Sequence, residues 1–378
     1  MISALHLVAD DLTGALDSAA GFARPEAPVA VSWAPSPALP ASLSAYSTET
    51  RDSTAECAAT RASAAADIAR QRSDRPLLFK KLDSLLRGHP VLELAAFAER
   101  VGCDRVVLAP AHPSLGRVTR GGWQYVRNSE GAYERILRDL AGELNAAGFA
   151  TGPVHATSDK PTVILADAEN DADLHALVAR ERDRGDRILW CGSGGLAQAL
   201  TGRTPPRLAV PNGRVLAVIG SDHSVARDQV EALRQRDPAA VVSWTERDAP
   251  ATLADAINRR LDSEAMAVIV PNLAICSRTD AARAIATMLN ALLPRISRPD
   301  ALFCSGGETL RTVCDVLDAD ALLCEGFVSG GIPLSRLRGG RWSGIAVMSK
   351  SGAFGTSGTL VELLMTDMLN ADFSLITQ

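Results

Sequence analysis

Short runs of Val, Ile and Leu alternate with longer Ala-rich amphipathic stretches along almost the whole chain, and this rhythm restricts the fold more than any other feature. Expected strands in the first half are Leu5–Ala9, Val29–Trp33, Leu77–Lys80, Val106–Ala109, Val163–Ala166 and Ile188–Cys191. In the second half they are Val215–Ile219, Val241–Trp244, Ala267–Val270, Ala301–Cys304 and Ile345–Met348. Helical patterns fall between them at Ala55–Arg72, Val91–Arg100, Ala172–Arg184, Val225–Arg236, Ala281–Leu293 and Thr359–Leu369. Such alternation predicts an α/β protein built on mostly parallel sheets flanked by helices. Pro35–Pro40 and Pro25–Pro28 read as loops.

A chain of 378 residues is long for one domain, so two are expected. The boundary belongs in Thr201–Arg214, where Pro205, Pro206 and Pro211 lie between glycines. This gives domains 1–207 and 208–378. A hydrophobic fraction of 47% lets both bury a core, and a net charge of −5 disfavours nucleic acid or an anionic membrane as partner. The N-terminus has no basic flank before Asp10-Asp11, and no apolar run reaches the ~20 residues of a membrane span, so a cytoplasmic protein is expected. The seven cysteines include no C-x-x-C pair, and the ten-residue spacing of Cys304, Cys314 and Cys324 matches no metal-ligand pattern; they read as reduced and mostly buried.

Chemically loaded clusters follow the expected strands directly, where open α/β sheets bind ligands. Asp10-Asp11-Leu12-Thr13-Gly14-Ala15 suits hydroxyl recognition or general-base work; the plainer reading is a helix N-cap, although a second acid exceeds what capping needs. Lys80-Lys81-Leu82-Asp83-Ser84-Leu85-Leu86-Arg87-Gly88-His89 offers two-pronged and point-charge recognition of a carboxylate, or else a solvated loop with Gly88-His89-Pro90 starting the next helix. Arg51, in the polar loop Ser47–Asp52, is a second anion ligand or an ordinary surface arginine. Ala109–Gly122 is too rich in Pro, Gly and polar groups for regular structure; its His112 is a catalytic base or a structural loop histidine.

Gly192-Ser193-Gly194-Gly195-Leu196-Ala197 matches the dinucleotide fingerprint G-x-G-x-x-A. No Asp or Glu follows in Thr201–Asn212 to hold a ribose, so the nicotinamide reading is set aside as a rival, leaving a helix N-terminus able to face an anion. In the second half Gly220-Ser221-Asp222-His223-Ser224, Ser305-Gly306-Gly307-Glu308-Thr309 and Lys350-Ser351-Gly352-Ala353-Phe354-Gly355 each close a strand. Their backbone N–H groups can approach phosphates, Lys350 adds charge, and Glu308 is a candidate metal carboxylate. Glycines also end strands routinely, but three such loops in one domain favour nucleotide phosphates. There is no P-loop motif.

Taken in order, these motifs resemble the four-carbon acid sugar kinase family, whose members phosphorylate threonate, erythronate or 3-oxo-tetronate at the terminal hydroxyl with ATP. The resemblance rests on Ala9–Ala15, Lys81–Gly88, Pro110-Ala111 through Gly116-Arg117 and Thr119, Asp167-Ala168, Gly192–Ala197, Gly220-Ser221 with Ser224, Gly306–Thr309 and Lys350–Gly355. It implies an N-terminal acid-sugar domain, a C-terminal ATP domain and an active site in the cleft between them. Asp10, Asp11, Arg51, Lys81, Leu82, Asp83, Ser84 and Arg87 would contact the sugar acid, with Asp11, Asp83 and Arg87 catalytic and Asp11 or Asp83 taking the hydroxyl proton. Ser221, Ser224, Gly306, Gly307, Glu308, Thr309, Lys350 and Gly352 would contact ATP, and Glu308 would help place Mg2+. The rivals are an NAD-dependent dehydrogenase and a non-enzymatic sugar-acid binding protein. The sequence sets neither the stereochemistry of the acid nor the oligomeric state, and a homo-oligomer is compatible with it.

Overall fold

The computed structural model describes residues 2–33, 42–128, 130–150, 160–203, 207–245, 247–273 and 277–365. Pro35–Pro40, Pro205, Pro206, Cys276 and the end of the helix expected to reach Leu369 lie outside the described residues. The chain divides into two compact units, one of residues 1–206 with 324–326 and one of 207–323 with 327–378.

In the first unit the strands are β1 (Leu5–Ala9), β2 (Val29–Ser32), β3 (Leu43–Ser47), β4 (Leu77–Lys81), β5 (Arg105–Ala109), β6 (Arg117–Arg120), β7 (Trp123–Arg127), β8 (Tyr133–Arg135), β9 (Thr162–Leu165) and β10 (Ile188–Gly192). The helices are α1 (Leu12–Phe22), α2 (Ala55–Arg70), α3 (Pro90–Val101), α4 (Leu140–Ala146), α5 (Asp171–Arg182) and α6 (Gly194–Thr201). Seven strands form a parallel sheet in the order β2-β3-β1-β4-β10-β5-β9. Every residue of β1 is buried, His6 included, as befits a mostly apolar strand covered on both faces. Ala65, Ala66 and Ala69 of α2 and Leu94, Phe97 and Val101 of α3 pack on Val8, Leu78, Val106 and Leu189 in one core.

The chain leaves β1 through α1 for β2 on one side and leaves β4 through α3 for β5 on the other. The order therefore reverses between two neighbouring strands, which opens a crevice at their carboxyl ends. Asp10-Asp11 follows β1 and Leu82–Arg87 follows β4, so the topology brings these clusters to that crevice.

One expectation fails here. Ala109–Gly122 is not irregular throughout, because β6 starts at Arg117 and pairs antiparallel with β7, which pairs with β8. Gly121 and Gly122, both at positive φ (55° and 78°), make the two-residue turn that a right-twisted hairpin favours. Asp167 accepts from both their N–H groups, at 2.6 and 2.9 Å. The glycines that suggested a loop are thus the hinge of a hairpin.

The second unit contains β11 (Val215–Ile219), β12 (Val241–Trp244), β13 (Met266–Pro271), β14 (Ala301–Ser305), β15 (Ala321–Ser329, apart from 324–326), β16 (Ile332–Arg338) and β17 (Ala346–Lys350). Its helices are α7 (Ser224–Arg236), α8 (Pro250–Glu264), α9 (Arg278–Leu292), α10 (Gly307–Val316) and α11 (Thr359–Leu364). The order β12-β13-β11-β14-β17 is parallel, and β16 runs antiparallel beside β17 with β15 next to it. The chain leaves β11 through α7 for β12 on one side and leaves β14 through α10 toward β15 on the other, so the order reverses between β11 and β14. Gly220-Ser221 and Gly306-Gly307 follow those two strands. The pair β15–β16, joined through Gly330-Gly331, and the strand β3 have too few β-branched residues to stand out in the sequence.

Candidate functional site

In the first unit Arg51 clamps the two acids that follow β1. Its guanidinium donates to Asp10 at 2.8 and 2.9 Å and to Asp11 at 2.5 and 2.8 Å. Asp11 also caps α1, accepting from Gly14 N and from Thr13 Oγ1, both at 2.8 Å. Capping and clustering therefore coexist, and four donors occupy the two oxygens of Asp11. Burial works against the charge of Asp10, but Arg51 outweighs it and holds the carboxyl below its usual range.

The segment after β4 supplies the facing groups. Asp83 accepts from Arg87 Nε at 2.6 Å, Nη2 at 3.1 Å and backbone N at 3.1 Å. Burial opposes the Asp83 charge, yet Arg87 and Arg51 depress its pKa far below normal. Lys81 is buried and donates to Leu82 O at 2.7 Å, while Leu82 N is anchored on Gly192 O at 2.9 Å. Ser84 Oγ accepts from Arg117 at 2.8 Å, and Gln124 of β7 donates to Ser84 O at 3.0 Å. The antiparallel hairpin thus supports the β4 loop, a role for Gln124 that no local motif announces.

A polar network underlies Arg51. Lys80 donates to Glu93 of α3 at 2.7 Å, Thr50 Oγ1 donates to the other Glu93 oxygen at 2.7 Å, and Thr48 and Thr50 share a 2.7 Å bond. A glutamate inside a helix ordinarily reads as surface, so Glu93 carries no sequence signal of this role. Gly192–Ala197 proves to be a packing device: Ser193 Oγ donates to Ala111 O and accepts from Gly195 N, and a Cβ on Gly195 would fall 2.9 Å from Ala111 O. The helix N-terminus expected to face an external anion is approached instead by the protein's own Asp17 and His112.

In the second unit, three strand ends converge. Gly220 N donates to Ser305 O at 3.3 Å, and Gly306 N donates to Lys350 O at 3.0 Å. The approach is so close that a Cβ on Gly352 would lie 1.8 Å from Ser221 Oγ, and one on Gly220 would lie 2.1 Å from Thr309 Oγ1. Glycine is needed here for space. Gly307, Glu308 and Thr309 form the first turn of α10, with Glu308 exposed, and Ser224 opens α7 behind an N-cap in which His223 Nδ1 accepts from Val225 N. Two helix N-termini and glycine-lined backbone make a frame suited to phosphate oxygens.

Lys350, expected to add charge against phosphates, is held here by its own loop. The residue is 1% exposed, and its ammonium donates to the carbonyls of Ser351, Gly352 and Phe354 at 3.1, 3.5 and 3.2 Å. Burial, with no carboxylate partner among the described residues, lowers its pKa to about 8. Gln229 of α7 donates to Phe354 O at 3.0 Å and Thr356 O at 2.9 Å. Lys350 and Gln229 together set the shape of the 351–356 loop.

Among the described residues no group of three or more His, Cys, Asp or Glu is placed to hold a metal ion, no helix is long and apolar enough to cross a membrane, and none of the six described cysteines is in a disulfide.

Two family models match the chain: a sugar-binding N-terminal domain over residues 5–157 and a nucleotide-binding C-terminal domain over residues 216–360. The sequence is 29% identical to a D-threonate kinase of Cupriavidus necator, the match covering 94% of this chain and 95% of that protein. It is 28% identical to a D-threonate kinase of Bordetella bronchiseptica, covering 94% of this chain and 96% of that one. A solved structure from Salmonella typhimurium shares the fold, with a TM-score of 0.71 at 18% identity over 94% of this chain and 98% of that chain.

Proposed function

Because the chain belongs to the four-carbon acid sugar kinase family, we propose that it transfers the γ-phosphoryl group of ATP to the terminal hydroxyl of a four-carbon sugar acid of the threonate or erythronate type. The observation that carries this reading is the pairing of two unlike sites in one chain. One crevice is lined by Arg51, Lys81, Arg87 and carboxylates; the other is a frame of glycine-rich strand ends.

In the first unit the sugar acid's carboxylate takes the place of a protein carboxylate on the arginines, since guanidinium forks bind either equally well. Arg87, with half of its side chain exposed, is the readiest to exchange Asp83 for a ligand. Asp10, Asp11, Asp83 and Ser84 then meet substrate hydroxyls, with Leu82 closing the apolar side. In the second unit the backbone of Ser221, Gly306, Gly307 and Gly352, with the hydroxyls of Ser224 and Thr309, receives the phosphates. Lys350 acts through the carbonyls it holds.

Phosphoryl transfer asks the protein chiefly for alignment and charge neutralisation. Glu308, an exposed oxygen donor beside Gly307, fits Mg2+ of the kind held mainly by phosphates and water. The ion, when bound, would supply charge neutralisation at the phosphates. The test is ADP release with Mg-ATP across the threonate and erythronate stereoisomers and their 3-oxo forms. Acid-dependent ADP release is expected with at least one of them; ADP release indifferent to all would remove the proposal.

A further inference from the structure

We propose that Asp17, on α1, is the general base that takes the proton from the acceptor hydroxyl. This rests on the kinase reading above and sharpens it, because the acids that first suggest themselves are already engaged. Asp11 has four donors on its two oxygens, Asp10 has two from Arg51, and Asp83, once the guanidinium of Arg87 turns to substrate, still accepts from the Arg87 backbone N. A carboxylate so occupied must give up a partner before it can accept a proton.

Asp17 differs from all three. It is 7% exposed and has no hydrogen-bond or ion-pair partner among the described residues. Its carboxylate points to the start of α6, where a Cβ on Gly194 would fall 2.6 Å from Asp17 Oδ2 and 2.9 Å from His112 Cε1. Gly194, lacking a Cβ, therefore lets an unengaged acid and a neutral imidazole close together on the start of α6. His112 is 4% exposed, also has no side-chain hydrogen-bond partner among the described residues, and is kept uncharged by burial, with a pKa of about 3. A buried unpaired carboxylate is costly, and sites that keep one commonly use it.

The charged surroundings suit the task. Burial raises the Asp17 pKa, Lys81 of β4 and Arg117 of β6 oppose that rise, and Asp11 adds to it. His112 faces it from the loop before β6. The result is a carboxylate more basic than Asp83, in the field of the cations that grip the substrate. In the step, the substrate O–H bond breaks and its proton goes to Asp17. The oxygen forms its bond to the γ-phosphorus of ATP, and the bond from that phosphorus to the bridging oxygen breaks, leaving its electron pair on ADP. The proton then passes to solvent.

Three readouts on the purified full chain test this with the best sugar acid of the screen. Asp17→Asn should lower kcat by about 10²–10⁴-fold, leave KM for the acid within a few-fold, and melt no lower than wild type. The acid limb of the wild-type kcat–pH profile should vanish in that variant. In Asp17→Ala, added formate should restore part of the lost rate, which a merely structural role would not permit and which keeps the test open if Asp17→Asn folds poorly. An active wild type with kcat of Asp17→Asn within about threefold, or no rescue by formate, overturns the assignment alone. A wild type that makes no ADP with any sugar acid sinks the kinase reading and this step with it.

Discussion

The ammonium of Lys80 lies 2.7 Å from the carboxylate of Glu93, with 2% and 1% of the two side chains exposed. Burial works against the lysine's charge, but Glu93 and Asp10 outweigh it and raise its pKa. Glu93 also holds Thr50, the neighbour of Arg51, so the pair underpins the loop that presents the guanidinium. Glu93→Gln should cost about 3–5 kcal/mol in denaturant unfolding, since it leaves a buried ammonium without its counter-charge. A loss under about 1 kcal/mol would mean that the pair is dispensable. Replacing both partners by apolar residues of similar volume should recover most of the loss.

Arg51 reaches two carboxylates at once, which the point charge of a lysine cannot do. Arg51→Lys is expected to raise KM for the sugar acid by about tenfold or more while leaving Mg-ADP affinity unchanged. Steady-state kinetics together with calorimetric ADP binding check both halves. An unchanged KM would remove Arg51 from substrate recognition.

Gly352→Ala should do the reverse. A Cβ placed 1.8 Å from Ser221 Oγ must push the two loops apart. The affinity for Mg-ADP should fall by about tenfold or more, with sugar-acid binding preserved. Titration calorimetry with each ligand separately distinguishes this from general misfolding, which would weaken both.

Acid should destabilise the first unit before its carboxylates titrate. His6 is buried and neutral, with burial and then Arg72 lowering its pKa from 6.5 to about 4. Below pH 6.5 the unfolded chain binds a proton that the folded chain does not. The contribution is thus complete above that pH and is lost as pH falls toward 4, to the extent of about 3 kcal/mol. His112 extends the same loss toward pH 3. Melting curves from pH 7 to pH 4 should show falling stability, and His6→Asn or His6→Leu should flatten the upper part of that slope. An equal slope in the variants would contradict it.

Much of this architecture was legible because apolar runs ending in Asp10, Lys81, Gly220 or Gly306 can hardly be anything but buried parallel strands feeding polar loops. The switch points then follow from strand order, which no local pattern encodes. The hairpin of β6 and β7 was not legible, since its turn is completed by Asp167, 46 residues beyond Gly121. Asp17 and Glu93 were missed for a related reason. An acid inside an amphipathic helix reads as its wet face, and only packing against α6, or against Lys80, shows that it is dry. Lys350 was legible as a special residue, but its bonds to its own loop's carbonyls were not, because a cation after a strand looks the same whether it meets phosphate or backbone.

The division of labour between the two units is tested most directly by hydrogen exchange with one ligand at a time. D-threonate or D-erythronate alone should protect the amides of 10–14 and 81–88, and Mg-ADP alone those of 220–224, 306–309 and 351–355. Protection by the nucleotide confined to the first pair of segments, or by the sugar acid to the second set, would contradict the account.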